Sequence, residues 1–214
     1  MIERLTRRDW ILIAVCIGVV AVSLFVVFNW FFAAFPEASI DFRYDRDSSL
    51  TLARRVLDAQ RIDARGMKHG AVFDRDELGM IFLERSLGLS DANRLMRRDV
   101  RMFWWRHRWF QPLQEEEFEV DVAPTGEIVG FNDKIPERTA LPNIPLASAQ
   151  SAAQLFLMRA GVKLSDLQLV TQSERTLPSR VQRIFTWDSQ SVHPAGAPYR
   201  HIVTVDGDRV SSYS

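Results

Sequence analysis

The densest chemical signal in the chain is Arg101-Met102-Phe103-Trp104-Trp105-Arg106-His107-Arg108-Trp109-Phe110, followed by Glu115-Glu116-Glu117, Glu119 and Asp121. Cations interleaved with rings can stack on nucleic-acid bases, meet lipid headgroups or hold a polar partner. Read as a strand, the stretch puts Phe103, Trp105, His107 and Trp109 on one face and Met102, Trp104, Arg106 and Arg108 on the other. The ring-rich face then packs under a helix. On the other face the arginines pair across the sheet with Glu115, Glu117 or Glu119. Trp104, Arg106 and Arg108 are the candidate contacts for a partner or a headgroup. Basic and acidic residues balance at 27 each, which supplies no field to recruit nucleic acid, and that partner class is set aside.

Other chemistries fare worse. Glutamates can divide acid and base roles when burial separates their pKa values. Glu117, Glu119 and Asp121, however, alternate with Phe118, Val120 and Val122, which places the carboxylates on a solvated face. His69, His107, His193 and His201 are scattered, without the helical spacing of a preformed metal site. No G-x-S-x-G elbow and no Gly-rich phosphate loop occurs. The lone Cys16 lies in an apolar run, which leaves no thiolate zinc site, cysteine nucleophile or disulfide for the rest. No catalytic residue, metal site or cofactor is expected.

These residues must be positioned by a chain that begins with a membrane signal. Residues 1–9 carry Arg4, Arg7 and Arg8, and residues 10–35 form an uncharged apolar run bounded by Trp10 and Trp30-Phe31-Phe32. About 20 helical residues span a bilayer core, so this run is a single transmembrane anchor with aromatic ends. A cleaved signal peptide would have a shorter apolar region and a small-residue cleavage site, which Phe35-Pro36-Glu37 lacks. The arginines of the short head, set against Glu37, Asp41, Asp45 and Asp47 beyond the span, predict a cytoplasmic N-terminus and an extracytoplasmic bulk.

Beyond the anchor the pattern is α+β: a helix followed by antiparallel strands, twice. Residues 36–134 form the first unit, 135–145 a linker with three prolines, and 146–214 the second unit. The first helix, capped by Asp47 or Ser48, runs to about Arg61 with Leu52, Ala53, Val56 and Leu57 on its inner face. The second starts near Ser148 with Ala149, Ala152, Ala153, Phe156, Leu157 and Ala160, and Gly161 as a stop. Each is followed by a strand (Val100 to Phe110; Arg180 to Trp187) and a hairpin. Pro124-Thr125-Gly126 turns the first hairpin and Asp206-Gly207 the second. An insertion at 76–98 gives the first unit two short helices, with Leu78, Ile81 and Phe82, then Leu95 and Met96, on their inner faces. Each unit is expected to bury its own sheet under its own helix.

Two resemblances attach to these segments. The helix and strands ending in VDVAPTGEIVGF or VTVDGDRVSSY resemble the PepSY-type module, which implies a non-catalytic extracytoplasmic unit that restrains or senses. FPEASIDF and the stretch from FLERSLGLSDANRLMRRDV to EIVGF, together most of residues 35 to 131, resemble the region that precedes the multi-span bundle in some CPBP-family intramembrane metalloproteases, relatives of the CAAX prenyl proteases. That family's signature is a Glu-Glu pair with Arg four residues after the second Glu. Here Glu116-Glu117 is followed by Asp121 at that place, so no catalytic residue carries over.

The resulting expectation is a single-pass, non-catalytic binding or regulatory module. Its partners are the lipid bilayer and an intramembrane protease bundle or that protease's protein substrate. The chain is either an accessory or the front part of a longer reading frame. Two alternatives stay open: an independent envelope protein that binds lipid or polymer through the aromatic-basic strand, and an enzyme with an unrecognised site.

Overall fold

A computed structural model describes residues 6–35 and 40–214, with backbone only at 32–34. Arg4 and Pro36 to Ser39, which carry part of the charge asymmetry and of the FPEASIDF resemblance, lie outside the described residues. Helix α1 (Arg7–Ala34) begins in a capping box: the Thr6 amide donates to Asp9 Oδ2 at 2.7 Å, and the Asp9 amide donates to Thr6 Oγ1. Within Arg7–Phe31 an 18-residue window has a mean hydropathy of 3.2 and is not buried by protein, so the helix is long and apolar enough to cross a membrane.

The remainder is an α+β body built on one antiparallel sheet. The first half supplies α2 (Arg46–Ala59), β1 (Lys68–Arg75), α3 (Glu77–Leu87), α4 (Leu89–Arg98), β2 (Phe103–Phe110), β3 (Glu117–Val122) and β4 (Ile128–Lys134). The second supplies α5 (Leu146–Arg159), β5 (Leu167–Thr176), β6 (Val181–Ser189), β7 (Arg200–Asp206) and β8 (Arg209–Tyr213). Among the described residues eight strands pair in the order β1-β2-β3-β4-β8-β7-β6-β5. Each half is thus a helix followed by a four-strand meander, and the halves join where β4 pairs with β8.

The register explains the faces. Trp105 lies opposite Val122, His107 opposite Val120, and Trp109 opposite Phe118, so these side chains share the face that carries α2. Phe185, Val203 and Tyr213 continue that face under α5. One core results, in which Ala53 and Leu57 of α2 and Ala149, Ala153, Phe156 and Leu157 of α5 cover the sheet together. Alanines at the inner positions let each helix approach the strands closely. Phe156 stands at the seam: its ring centroid lies 5.3 Å from that of Phe131 on β4 and 5.5 Å from that of Tyr213 on β8. β4 and β8 share only two register pairs, Phe131 with Tyr213 and Asn132 with Ser212, so these ring contacts reinforce a short junction.

Several expectations change. The halves share one sheet rather than each closing its own, because the last strand of each meander finds its partner in the other. The first helix is capped by Asp45, whose carboxylate accepts from the Ser48 amide at 2.8 Å, not by Asp47 or Ser48. The second starts at Leu146, behind Pro145. Strands β1 and β5 were not expected. They are the two edges, with most of their residues exposed, so little alternation marks them. Leu78, Ile81 and Phe82 of α3 face outward, while Met80 and Leu83 turn inward, into a second apolar cluster with Ala92, Met96, Val100, Met102 and Phe103.

The linker between the halves is held by a buried arginine. Arg180 Nη1 donates to the carbonyls of Pro136, Glu137 and Thr139 at 3.0, 3.1 and 3.3 Å, while its Nε donates to Asp206 at 3.1 Å. Gly207 follows with φ +59, and a Cβ there would meet Leu141 at 2.4 Å, so the turn requires glycine. Replacing Phe156 by alanine is expected to cost about 3–5 kcal/mol of unfolding free energy in denaturant titration, against less than about 0.5 kcal/mol for Val72→Ala on the exposed edge. Equal losses would contradict the packing described.

Candidate functional site

The face of the sheet away from α2 and α5 carries Trp104, Arg106 and Arg108, the alternate residues of the arginine-aromatic stretch. Arg106 grips Asp121 on β3 through Nε and Nη2, both at 2.9 Å, and Asp74 on β1 through Nη1 at 2.8 Å. Arg108 Nε donates to Glu117 at 3.0 Å, its Nη2 also contacts Glu117, and Glu119 lies 3.7 Å away. Lys134 completes the row on Glu117 at 3.4 Å. The guanidiniums also sit over rings, Arg106 over Trp104 at 5.8 Å and Arg108 over Phe110 at 5.2 Å. Burial pushes the Asp121 carboxyl up against the opposing pull of Arg106, whereas the Arg108 hydrogen bond holds Glu117 down. Arg106 pairs with aspartates rather than with the expected glutamates, because Asp121 is its cross-strand neighbour. The expected contact residues Trp104, Arg106 and Arg108 do share a face. Their cations, however, are matched inside the sheet, and Arg108 is the most exposed of the three while Trp104 is partly buried.

A second constellation was not anticipated. Ser49 Oγ lies 2.9 Å from His107 Nε2, and His107 Nδ1 lies 3.1 Å from His69 Nε2, a chain from α2 through β2 to the edge strand β1. Its spacing matches a nucleophile, base and orienting group. Both Ser49 and His107 have no exposed surface, however, and Ser49 Oγ also donates back to the Arg46 carbonyl at 3.0 Å. No substrate atom can reach that hydroxyl without lifting α2 from the sheet. The chain therefore satisfies buried polar groups where the helix crosses the strands. Burial, with smaller contributions from His69 and Arg46, pushes the His107 imidazole down to about 4. The sequence held one hint: Ser49, Ala53 and Leu57 are spaced by four, so a hydroxyl sits within the apolar stripe of α2.

A third group lies around Asp206 and Asp133, on β7 and β4. Asp206 accepts from Arg180, from Gln182 at 3.3 Å and from Ser211 at 2.6 Å. Asp133 is as deeply buried but poorly matched, its Oδ2 lying 3.7 Å from Arg209 and making no hydrogen bond. Burial pushes its carboxyl up to about 6, with Glu116 and Asp206 adding repulsion and Arg209 opposing.

A groove of about 570 Å³ runs between α2 and α5, with Leu52, Val56, Ile128 and Phe156 as apolar walls and Arg55 and Arg159 at the rim. Its volume is that of a small-ligand cleft. Among the described residues no cluster of three or more His, Cys, Asp or Glu side chains could hold a metal ion. No family model, curated protein or solved structure matches the chain.

Asp133 gives a signed pH dependence. Its folded carboxyl binds a proton more tightly than an unfolded aspartate near 3.9, so the folded state gains protons in the window between that value and about 6. Stability therefore falls as pH rises through this window. Asp133→Asn is expected to raise the melting temperature at pH 7.5 and to bring little gain at pH 4. A lower melting temperature at pH 7.5 would contradict an uncompensated buried charge.

Proposed function

We propose that the protein is a membrane-anchored, non-catalytic binding or regulatory module of the extracytoplasmic side. It would serve as the front domain or accessory of a CPBP-like intramembrane protease, contacting the protease bundle or its protein substrate. The observation that carries the reading is the pairing of a wholly exposed apolar helix with a body whose polar constellations are spent internally. An apolar helix of that length with no protein cover is stable only against lipid. A body whose Ser–His contact is sealed and whose Arg106 and Arg108 are ion-paired has recognition surfaces more readily than reacting groups.

The repeated order of helix and four strands supports two PepSY-like units fused at β4 and β8, with α3 and α4 inserted in the first. The positive head supports a cytoplasmic N-terminus. The surfaces open to a partner are the β5 edge, whose backbone can accept a further strand, and the face of β2 that carries Trp104, Arg106 and the exposed Arg108.

The test is site-specific photo-crosslinking in native membranes, with a crosslinking residue at Thr171 on β5 and another at Trp104. The expected product is an adduct with a multi-span membrane protein that bears the Glu-Glu-x-x-x-Arg signature, carried either on the same reading frame or on a separate chain. Hydrolysis of a peptide or ester panel by the full chain in micelles, with no such adduct, would overturn the reading in favour of an enzyme.

A further inference from the structure

We propose that α3, beyond its structural part in the insertion, is an interfacial membrane element that lays its outer face into the same leaflet from which the chain emerges. The proposal rests on α1 being the membrane anchor, as argued above. Helix α3 is apolar on both sides. Met80 and Leu83 are buried against α4 and β2, yet Leu78, Ile81 and Phe82, at i, i+3 and i+4, are 80%, 38% and 45% exposed. Leu89, just past the Gly88 break, adds a fourth exposed apolar side chain to this corner. Single exposed leucines need no explanation, but three exposed apolar side chains on one helical face, with Arg85 among them, form a patch of the kind that is normally covered.

The tether says what covers it. The described part of α1 and its C-cap end at Phe35, and Ile40 already packs against the Met80-Leu83-Met96 cluster beneath α3 and α4. Five residue steps reach at most about 18 Å even when fully extended. The corner of the body that carries α3 and α4 is therefore held beside the bilayer surface, and the backbones of α1 and α4 approach each other. The charge pattern fits a lipid surface: Arg85, Arg97 and Arg98 are exposed around this corner and make no ion pair among the described residues. A short helix with Leu, Ile and Phe on its outer face and arginines around them sits in the headgroup layer, with its apolar face at the acyl boundary.

The test uses the full chain in vesicles of phosphatidylcholine and phosphatidylglycerol. In a Cys16→Ser background, Leu78→Cys, Phe82→Cys and Leu113→Cys each carry one spin label. Leu113 is fully exposed in the loop beyond β2, at the other end of that strand, and serves as the aqueous reference. Labels at 78 and 82 are expected to collide with dissolved oxygen several-fold more than with a water-soluble nickel chelate, and the label at 113 the reverse. Adding Leu78→Asp to the Phe82→Cys chain should return that label to water while the protein still floats with the vesicles. Nickel access at 78 and 82 equal to that at 113, in a chain that floats, would overturn the proposal and leave the anchor intact. Shielding from both reagents would also overturn it, since a protein surface would then be the cover. A chain that does not float would overturn the anchor reading, and this proposal with it.

Discussion

The body depends on a junction that is short in hydrogen bonds and rich in rings. β4 and β8 share only Phe131 with Tyr213 and Asn132 with Ser212 as register pairs, so backbone pairing alone is a thin bond between two meanders. Phe156 turns that line into a packed core by touching rings on both strands. A four-strand meander under one helix buries little apolar area, and fusing two of them lets one core do what neither would do well alone. Arg180 secures the same junction from the far side, tying the linker carbonyls to the Asp206 carboxylate.

This economy shapes what the molecule can offer. Arg106 bridges three strands by holding Asp74 and Asp121 together, and Ser49, His107 and His69 bond α2 to the two strands beneath it. Groups that would be reactive in a cleft are used here as cross-braces between elements. Surfaces without such partners are of another kind: the backbone of the β5 edge, the groove between α2 and α5, and the outer face of α3. Each suits contact with another chain, an amphiphile or lipid, and the proposal that the α3 corner rests on a membrane uses one of them.

Much of this organisation was legible in the chain. The apolar stripes of α2 and α5, the hairpins at Pro124-Thr125-Gly126 and Asp206-Gly207, and the inward rings Phe103, Trp105, His107 and Trp109 are periodic features, and local periodicity reads them directly. What stayed hidden was set by neighbours. β1 and β5 are edge strands exposed on much of both faces, so they carry no strong alternation, and with β1 unread Asp74 had no route to Arg106. The single sheet was invisible because β4 and β8 are about eighty residues apart in sequence and pair through contacts that no local window spans. The rule that apolar residues point inward places Leu78, Ile81 and Phe82 in the core. On α3 both sides qualify, and only packing decides that Met80 and Leu83 go in.

The central claim is that both halves form one cooperative unit through the β4–β8 seam. Hydrogen exchange of the full chain in micelles, followed by mass spectrometry through a denaturant series, tests it most directly. Amides of β2 and β3 and those of β6 and β7 should lose protection at one common denaturant concentration, with Phe156→Ala shifting both sets together. If β6 and β7 opened while β2 and β3 stayed protected, or the reverse, the halves would be separate domains and the account of a shared core would fail.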